Sequence, residues 1–381
     1  MAEKFTIPLS EPLILGNEAE YCRQAVEQGW LTAGSYITKF EEMLSLLTGS
    51  PNVVAVANGT AALHLAALLS AVKPGTEVIC PSISFAATVH AIAYCGAIPV
   101  FLDCDDYFGL CPEAVKDFVH ARVDISNGVA VNRSTGRPIS AAVPVHVLGN
   151  PVATESFTAL LAEAGIAIFE DAAESLGSNY RNSSIHTGTQ SPFGCLSFNG
   201  NKIVTSAGGG ALLCQSEEGA KLARHLAQQA KVTGEFGAHD NIGFNYRLSN
   251  VHAAIGVAQL ESFEERMRGK QRVYENYRSL IAELDEVELV QTPATRVNFW
   301  LIAIRCRGGE QMRNRIIAGL AAKGIESRPL WQPLYEHPAF IASERYKISN
   351  AQKLIAATIC LPSSPRLSEG DIEQVVAALR C

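Results

Sequence analysis

The sequence predicts an α/β fold: a mostly parallel central sheet with helices on both faces, followed by a smaller α+β C-terminal domain. Three observations carry this. From about residue 50, short β-branched runs alternate with longer helical stretches. The strand candidates are continuously apolar, as strands buried on both faces are, and do not alternate with polar residues. After about Asn250 the alternation gives way to one long helical pattern and then to short mixed elements.

Taken in order, residues 53–56 read as a strand, 60–70 as a helix, 77–80 as a strand, 85–95 as a helix and 99–102 as a strand. Farther on, the apolar runs 141–147 and 166–170 bracket a helical stretch at 153–164. A long helix runs from residue 252 towards 284, with Leu260, Phe263, Met267 and Tyr274 near one face. Beyond it come a strand at 300–305, a helix at 311–323, a strand at 325–328 and a terminal helix at 371–380. This divides the chain into a large domain, 1–250, and a small one, 251–381, joined by the long helix. In such sheets, ligands collect beyond the carboxyl ends of the strands.

The composition excludes several classes. With 381 residues, 48% of them hydrophobic, and a net charge of −7, the chain has neither the low hydrophobicity nor the high charge of a disordered protein. It has no basic run of the kind that nucleic acid or an anionic membrane needs. The apolar stretch 60–72 is interrupted by His64 and too short to span a bilayer. The first eight residues lack the basic start and apolar run of a secretion signal, so a soluble cytoplasmic protein is expected. The ten cysteines are scattered without a C-x-x-C pair, as buried reduced thiols would be, which argues against a metal or disulfide framework.

Four stretches following predicted strands hold polar residues that a plain connection would not need. Ala57-Asn58-Gly59-Thr60 opens a helix, where free amides and a hydroxyl suit a phosphate; a simple N-cap is the commoner use of such residues. Asp171, in Phe169-Glu170-Asp171-Ala172-Ala173-Glu174, ends an apolar strand. A carboxylate that near the core needs donors or a cation. Ser197-Phe198-Asn199-Gly200-Asn201-Lys202 leads to the glycine run 208–210, and no other formal charge lies between Arg181 and Glu217. An amine in such partly apolar surroundings suits a Schiff base. Gly243-Phe244-Asn245-Tyr246-Arg247 opens the long helix. No strand is followed by G-x-G-x-x-G with an acid about 20 residues on, which argues against a nicotinamide enzyme.

These motifs, in this order and over nearly the whole chain from Gly16-Asn17-Glu18 to Leu361-Pro362-Ser363, resemble the DegT family of pyridoxal-phosphate-dependent sugar aminotransferases, which have the fold-type I aspartate-aminotransferase architecture. The resemblance implies that Lys202 carries pyridoxal 5'-phosphate as a Schiff base and that Asp171 pairs with its pyridinium nitrogen. It implies that Phe85 stacks on the ring, and that Gly59, Thr60 and Ser197 hold the phosphate. Asn245 would reach the phosphate of a neighbouring subunit, which implies a homodimer with shared active sites, and Arg247 would meet substrate or brace the dimer. Glu174 stands where the family usually has the glutamine that bonds the ring oxygen. An ionised carboxylate there is acceptor-only and requires a shared proton.

Asp171-Ala172-Ala173-Glu174-Ser175-Leu176-Gly177, the Lys202 stretch and Arg328-Pro329-Leu330-Trp331 resemble in particular the subgroup that makes 4-amino-4,6-dideoxy sugars for bacillosamine- or legionaminic-acid-type glycans. This implies L-glutamate as donor and a UDP-linked 4-keto-6-deoxy-N-acetylhexosamine as acceptor, with Arg328, Trp331 and Tyr335 towards the substrate. Tyr335 stands where many relatives carry His. The readings set against it are amination at C3 or on a GDP- or dTDP-sugar, and a cofactor-binding regulatory protein without turnover. A sugar dehydratase, in which histidine replaces the lysine, is disfavoured by Lys202. His146, near another strand end, is expected to pack behind the site.

Overall fold

The computed structural model describes residues 5–126 and 128–380. The first four residues, used above against a secretion signal, and Cys381 lie outside the described residues. The main sheet has eight strands in the order Asn52–Val56, Gly210–Cys214, Phe193–Ser197, Ala167–Asp171, Ile139–Ala142, Glu77–Pro81, Ile98–Leu102, Arg345–Tyr346. All run parallel except Gly210–Cys214, which is antiparallel to both its neighbours. The connection from Phe193–Ser197 to Gly210–Cys214 holds only residues 198–209 and carries no helix, so the chain turns back on itself. Lys202 lies on that turn.

Alternate residues of the strands feed two cores. Val54 and Val56 pack under the helices Gly59–Leu69 and Ala86–Tyr94, whereas Val53 and Ala55 face Phe40, Phe198 and Val257 on the other side. Helix Gly59–Leu69 is buried almost all round, from Ala61 through Ala67, because its small residues let it sit tight on the sheet. The second, four-stranded sheet is antiparallel, ordered Val287–Leu289, Ile302–Cys306, Thr358–Leu361, Arg328–Pro329. Ile302, Ile304, Ile359 and Leu361 pack there with Val273 and Tyr277 of helix Phe263–Ile281 and with Val375 of helix Glu369–Leu379.

Several elements differ from the sequence reading. The expected helix 252–284 is two helices, Asn250–Glu261 and Phe263–Ile281, broken at Ser262. There the Ser262 hydroxyl and the buried Arg266 guanidinium both take the Gln259 carbonyl, at 3.3 and 3.2 Å, and Arg266 pairs with the buried Glu18. The expected strand 141–147 ends at Ala142, since Pro144 has no N–H for a ladder. Of the expected strand 325–328 only Arg328 joins the ladder, and Ile325 instead bridges Ile7. Helices Glu18–Glu27, Ser35–Thr48, Pro112–Arg122, Glu217–Ala227 and Asn350–Ala357 lie outside the elements that the sequence predicts.

The division at residue 250 is crossed in both directions. Residues 6–9 bond to Gly324, Glu326 and Ser363 of the C-terminal part, while Arg345–Tyr346 adds a strand to the main sheet. Among the described residues, no helix is long and apolar enough to cross a membrane, and no cluster of His, Cys, Asp and Glu could hold a metal ion. The described cysteines are free, and most are buried.

Candidate active site

A cleft of about 400 Å³ opens beyond the carboxyl ends of the parallel strands. Nine of the residues singled out from the sequence line it: Gly59, Thr60, Phe85, Asp171, Glu174, Ser197, Lys202, Arg328 and Trp331. Chain segments around Trp300 and Leu330 close it from the C-terminal side.

At one end lies the start of helix Gly59–Leu69. Asn58 is extended and its side chain accepts the Ala61 N–H at 2.8 Å, while the Ala62 N–H reaches the Asn58 carbonyl. The Gly59 backbone meets the neighbouring strand through the Asn58–Gly209 bridge, while the N–H of Thr60 and the hydroxyls of Thr60 and Ser197 have no hydrogen-bond partner among the described residues. A Cβ on Gly59 would lie 2.8 Å from the Ser197 Cβ, so only glycine allows helix and strand end to meet this closely. The result is a cradle of donors at the positive end of a helix, suited to an anion.

In the middle, Asp171 is 5% exposed. Its Oδ2 accepts from the Thr88 hydroxyl at 2.7 Å and its Oδ1 from the Ala173 N–H at 3.1 Å. Burial holds this carboxyl above its ordinary value, since both donors are neutral and cannot offset the loss of water. Glu174 is also pushed up by burial, against the opposing field of Lys202. Its Oε2 accepts the Leu148 N–H at 2.8 Å, and its Oε1 lies 3.5 Å from Lys202 Nζ. Lys202, its side chain 12% exposed, places Nζ 3.7 Å from the centroid of the Trp300 ring. Phe85 stands 57% exposed at the mouth, edge-on to Trp331 at 6.5 Å.

Three expected residues lie elsewhere. Asn245 and Arg247 are exposed, and only their backbones pair, with Gln228 and Val56; neither lines the cleft of its own chain. Tyr335, read as facing the substrate, is instead 1% exposed and packs edge-on against Phe101 in the core. Its ring lies between Phe101 and the Arg345 guanidinium, 5.3 Å from the ring centroid, away from the cleft. Arg328 lines the cleft, but its guanidinium is paired with Glu326 at 2.7 Å.

The structure adds residues that sequence reasoning missed. Thr88 follows Phe85 by three positions, and this one-turn spacing was the available signal. Trp300 had none, being read as a strand residue. Behind Asp171, the buried His146 accepts the Val152 N–H on Nδ1, so its Nε2 carries the proton that Glu170 receives at 3.0 Å. Burial would raise Glu170, but His146, Tyr180 and Ser191 outweigh it and hold the carboxyl below its ordinary value. Glu170 is thus a satisfied anchor on the opposite side of the strand from Asp171.

An amine, two carboxylates and an anion cradle in one cleft can hold an anionic carbonyl compound and move a proton beside it. A model of the DegT/DnrJ/EryC1/StrS aminotransferase family matches residues 12–380. The chain belongs to this family. It is 35% identical to EpsN of Bacillus subtilis (strain 168), whose name describes a pyridoxal phosphate-dependent aminotransferase, over 98% of this chain and 95% of that protein. It is 32% identical to the GDP-perosamine synthase of Caulobacter vibrioides, over 100% of this chain and 99% of that protein. Among solved structures, a DegT DnrJ EryC1 StrS aminotransferase from Brucella abortus superposes with a TM-score of 0.86 at 27% identity, covering 96% of this chain and 94% of that one. DesI, solved in the presence of its TDP-sugar product, superposes with a TM-score of 0.86 at 26% identity, covering 100% and 93%. As a member of this family the protein is a pyridoxal phosphate-dependent aminotransferase with the fold-type I architecture.

Proposed function

We propose that this aminotransferase moves an amino group from L-glutamate to the C4 keto group of a nucleotide-linked 4-keto-6-deoxy sugar, as a cytoplasmic homodimer with shared active sites. The observation that carries the reading is the convergence of Lys202, Asp171 and the Gly59–Ser197 cradle in one cleft.

The residues fit pyridoxal phosphate. Asp171 is a buried carboxylate whose two hydrogen-bond donors are neutral, with the field of Lys202 too weak to offset its burial, and a protonated ring nitrogen would be a directly bonded cation. The unpartnered Thr60 amide and the hydroxyls of Thr60 and Ser197, beside the close approach that Gly59 permits, suit the phosphate. Phe85 offers an aromatic face, and Glu174 stands beside the lysine to meet the ring oxygen. When bound, the cofactor supplies an electron sink for the pair left by a broken C–H bond.

In this reading Lys202 would hold the cofactor and, as a free amine, would carry a proton to and from the substrate carbon. Asp171 would keep the ring nitrogen protonated, and Thr88 aims Asp171. Glu174 shares a proton with the ring oxygen, which a carboxyl raised by burial can do. Trp300 and Trp331 wall the cleft against water, and Arg328 and Trp331 face the nucleotide sugar. Asn245 and Arg247 serve the neighbouring subunit, consistent with their exposure and with the bare apolar side chains of Trp30, Phe236 and Ile242.

The motifs favour a UDP-sugar of the bacillosamine or legionaminic acid type. A second reading, a GDP-sugar, is supported by relatives named GDP-perosamine synthase at 31–32% identity over nearly the whole chain. Glutamate added to the purified protein should replace absorbance at about 420 nm by a band at about 330 nm. The Lys202→Ala variant should fold and lack that change. Binding of cofactor with no change would favour a regulatory protein without turnover. UDP-, GDP- and dTDP-linked 4-keto sugars, offered in parallel and followed by mass spectrometry, decide the acceptor.

A further inference from the structure

Trp300 belongs to a short segment whose backbone is held in an uncommon conformation. Phe299, just before it, has φ +46°, in the left-handed region that a bulky residue rarely enters. Strain of this kind persists only where surrounding contacts over-determine it. Here they do. Asn298 is fully buried; its side chain donates to the carbonyls of Glu174 and Leu176 at 2.8 and 3.0 Å and accepts the Trp300 N–H at 2.9 Å. The Phe299 ring stacks on Tyr274 with centroids 3.9 Å apart. Lys270, buried in helix Phe263–Ile281, donates to the carbonyls of Trp300 and Ser363 at 2.8 and 2.6 Å.

What this kink presents to the cleft is the Trp300 indole. Its Nε1–H donates to the Asn201 carbonyl at 2.7 Å, holding the residue that precedes Lys202, and its face lies 3.7 Å from Lys202 Nζ. The same three-residue segment therefore ties down the turn that begins at Glu174 and the turn that carries Lys202. An indole used only as core filler would need neither contact.

We infer that Asn298–Trp300 is a clamp and that Trp300 is a positioning residue for Lys202. A π face attracts an ammonium without being able to take its proton, unlike a carboxylate. Opposite the Glu174 carboxylate at 3.5 Å, the lysine thus has one contact that holds the ammonium without taking its proton. The inference rests on Lys202 being the reactive amine. Turnover by Lys202→Ala would defeat that assignment, whereas the test below concerns the clamp alone.

The test uses the cofactor-free protein, reductively methylated with formaldehyde and cyanoborohydride and mapped by peptide mass spectrometry. In Trp300→Leu, Lys202 should be methylated roughly 3- to 10-fold faster than in the wild type, the range expected for losing a partly desolvated cation–π contact. Buried Lys270 should stay protected, which reports that the fold is intact. Trp300→Phe, which keeps a π face, should lie nearer the wild type. In the loaded enzyme Trp300→Leu should lower kcat while leaving the KM for glutamate unchanged. Equal methylation of Lys202 in Trp300→Leu and wild type, with Lys270 protected in both, overturns the clamp. Should Trp300→Leu expose Lys270, the decision passes to a protein whose only tryptophan is Trp300, made by Trp30→Phe and Trp331→Phe. There Lys202→Met must shift the tryptophan emission, and an identical spectrum overturns the inference.

Discussion

The Thr88 hydroxyl donates to Asp171 Oδ2 at 2.7 Å, joining a helix at the cleft mouth to the end of a central strand 83 positions later in the chain. The bond is buried on both sides, so it is a charge-assisted contact shielded from competing water. Thr88→Val should weaken cofactor retention about 10-fold or more, from the loss of one hydrogen bond to a charged group. Thr88→Ser should retain it. Equal cofactor dissociation constants for Thr88→Val and wild type would show that Asp171 is aimed by other groups.

Asp171 also predicts a trade between stability and function. Its folded carboxyl keeps the proton to a higher pH than the ordinary value of 3.8. The folded state therefore binds more protons across that window, and the cofactor-free protein loses stability as pH rises from 3.8 through the raised value. Asp171→Asn should remove the loss, raising the Tm of the cofactor-free protein at pH 7 by a few degrees while reducing kcat by several orders of magnitude. A cofactor-free Tm below that of the wild type refutes it.

Glu174 stands 3.5 Å from Lys202 as an acceptor whose own carboxyl is raised by burial. Glu174→Gln exchanges a group that can share a proton for one that always offers an N–H. The pH midpoint of the bound cofactor's absorbance should move, followed by spectrophotometric titration. An unchanged midpoint would remove Glu174 from contact with the ring.

The cradle can be tested with two glycines. Gly59→Ala would bring a methyl group to 2.8 Å from the Ser197 Cβ, whereas nothing lies within 4 Å of the corresponding position on Gly200. The first substitution should cost about 1–3 kcal/mol by overpacking and weaken cofactor binding. Gly200→Ala, two residues from Lys202, should leave both near wild type. Urea denaturation and cofactor titration read the two effects, and indistinguishable variants would contradict the close approach.

Lys270 makes a prediction of opposite sign to Asp171. Burial pushes its ammonium from 10.5 down to about 7. Between those values the unfolded chain binds the extra proton, so the contribution of Lys270 to stability rises with pH, by at most ~1.4 kcal/mol per unit. The difference in unfolding free energy between wild type and Lys270→Met should therefore shift in favour of the wild type from pH 7 to pH 9. Parallel curves would show that Lys270 does not titrate there.

The alternation of apolar runs and helical stretches, and the four polar motifs after strand ends, were legible because each depends on residues close in the chain. A doubly buried strand must be apolar throughout, and a turn that meets a ligand must spare its polar groups from local pairing. From this the α/β class follows, and so do Gly59, Thr60, Asp171, Glu174, Ser197 and Lys202, whereas Phe85, Arg328 and Trp331 came only with the family resemblance. What lay outside that reach depends on which segments meet in space. The Ser262 break needs Arg266 and the distant Glu18, the reversed strand Gly210–Cys214 needs its neighbours in the sheet, and Tyr335 packs against the distant Phe101. Thr88 has only its one-turn spacing from Phe85 as a local signal, and Asn298 and Trp300 have none in their own segments. They acquire their chemistry only when sheet order and a left-handed Phe299 bring them to Asp171, Glu174 and Lys202, because hydrogen bonds and cation–π contacts act over a few ångströms of space and are blind to separation along the chain.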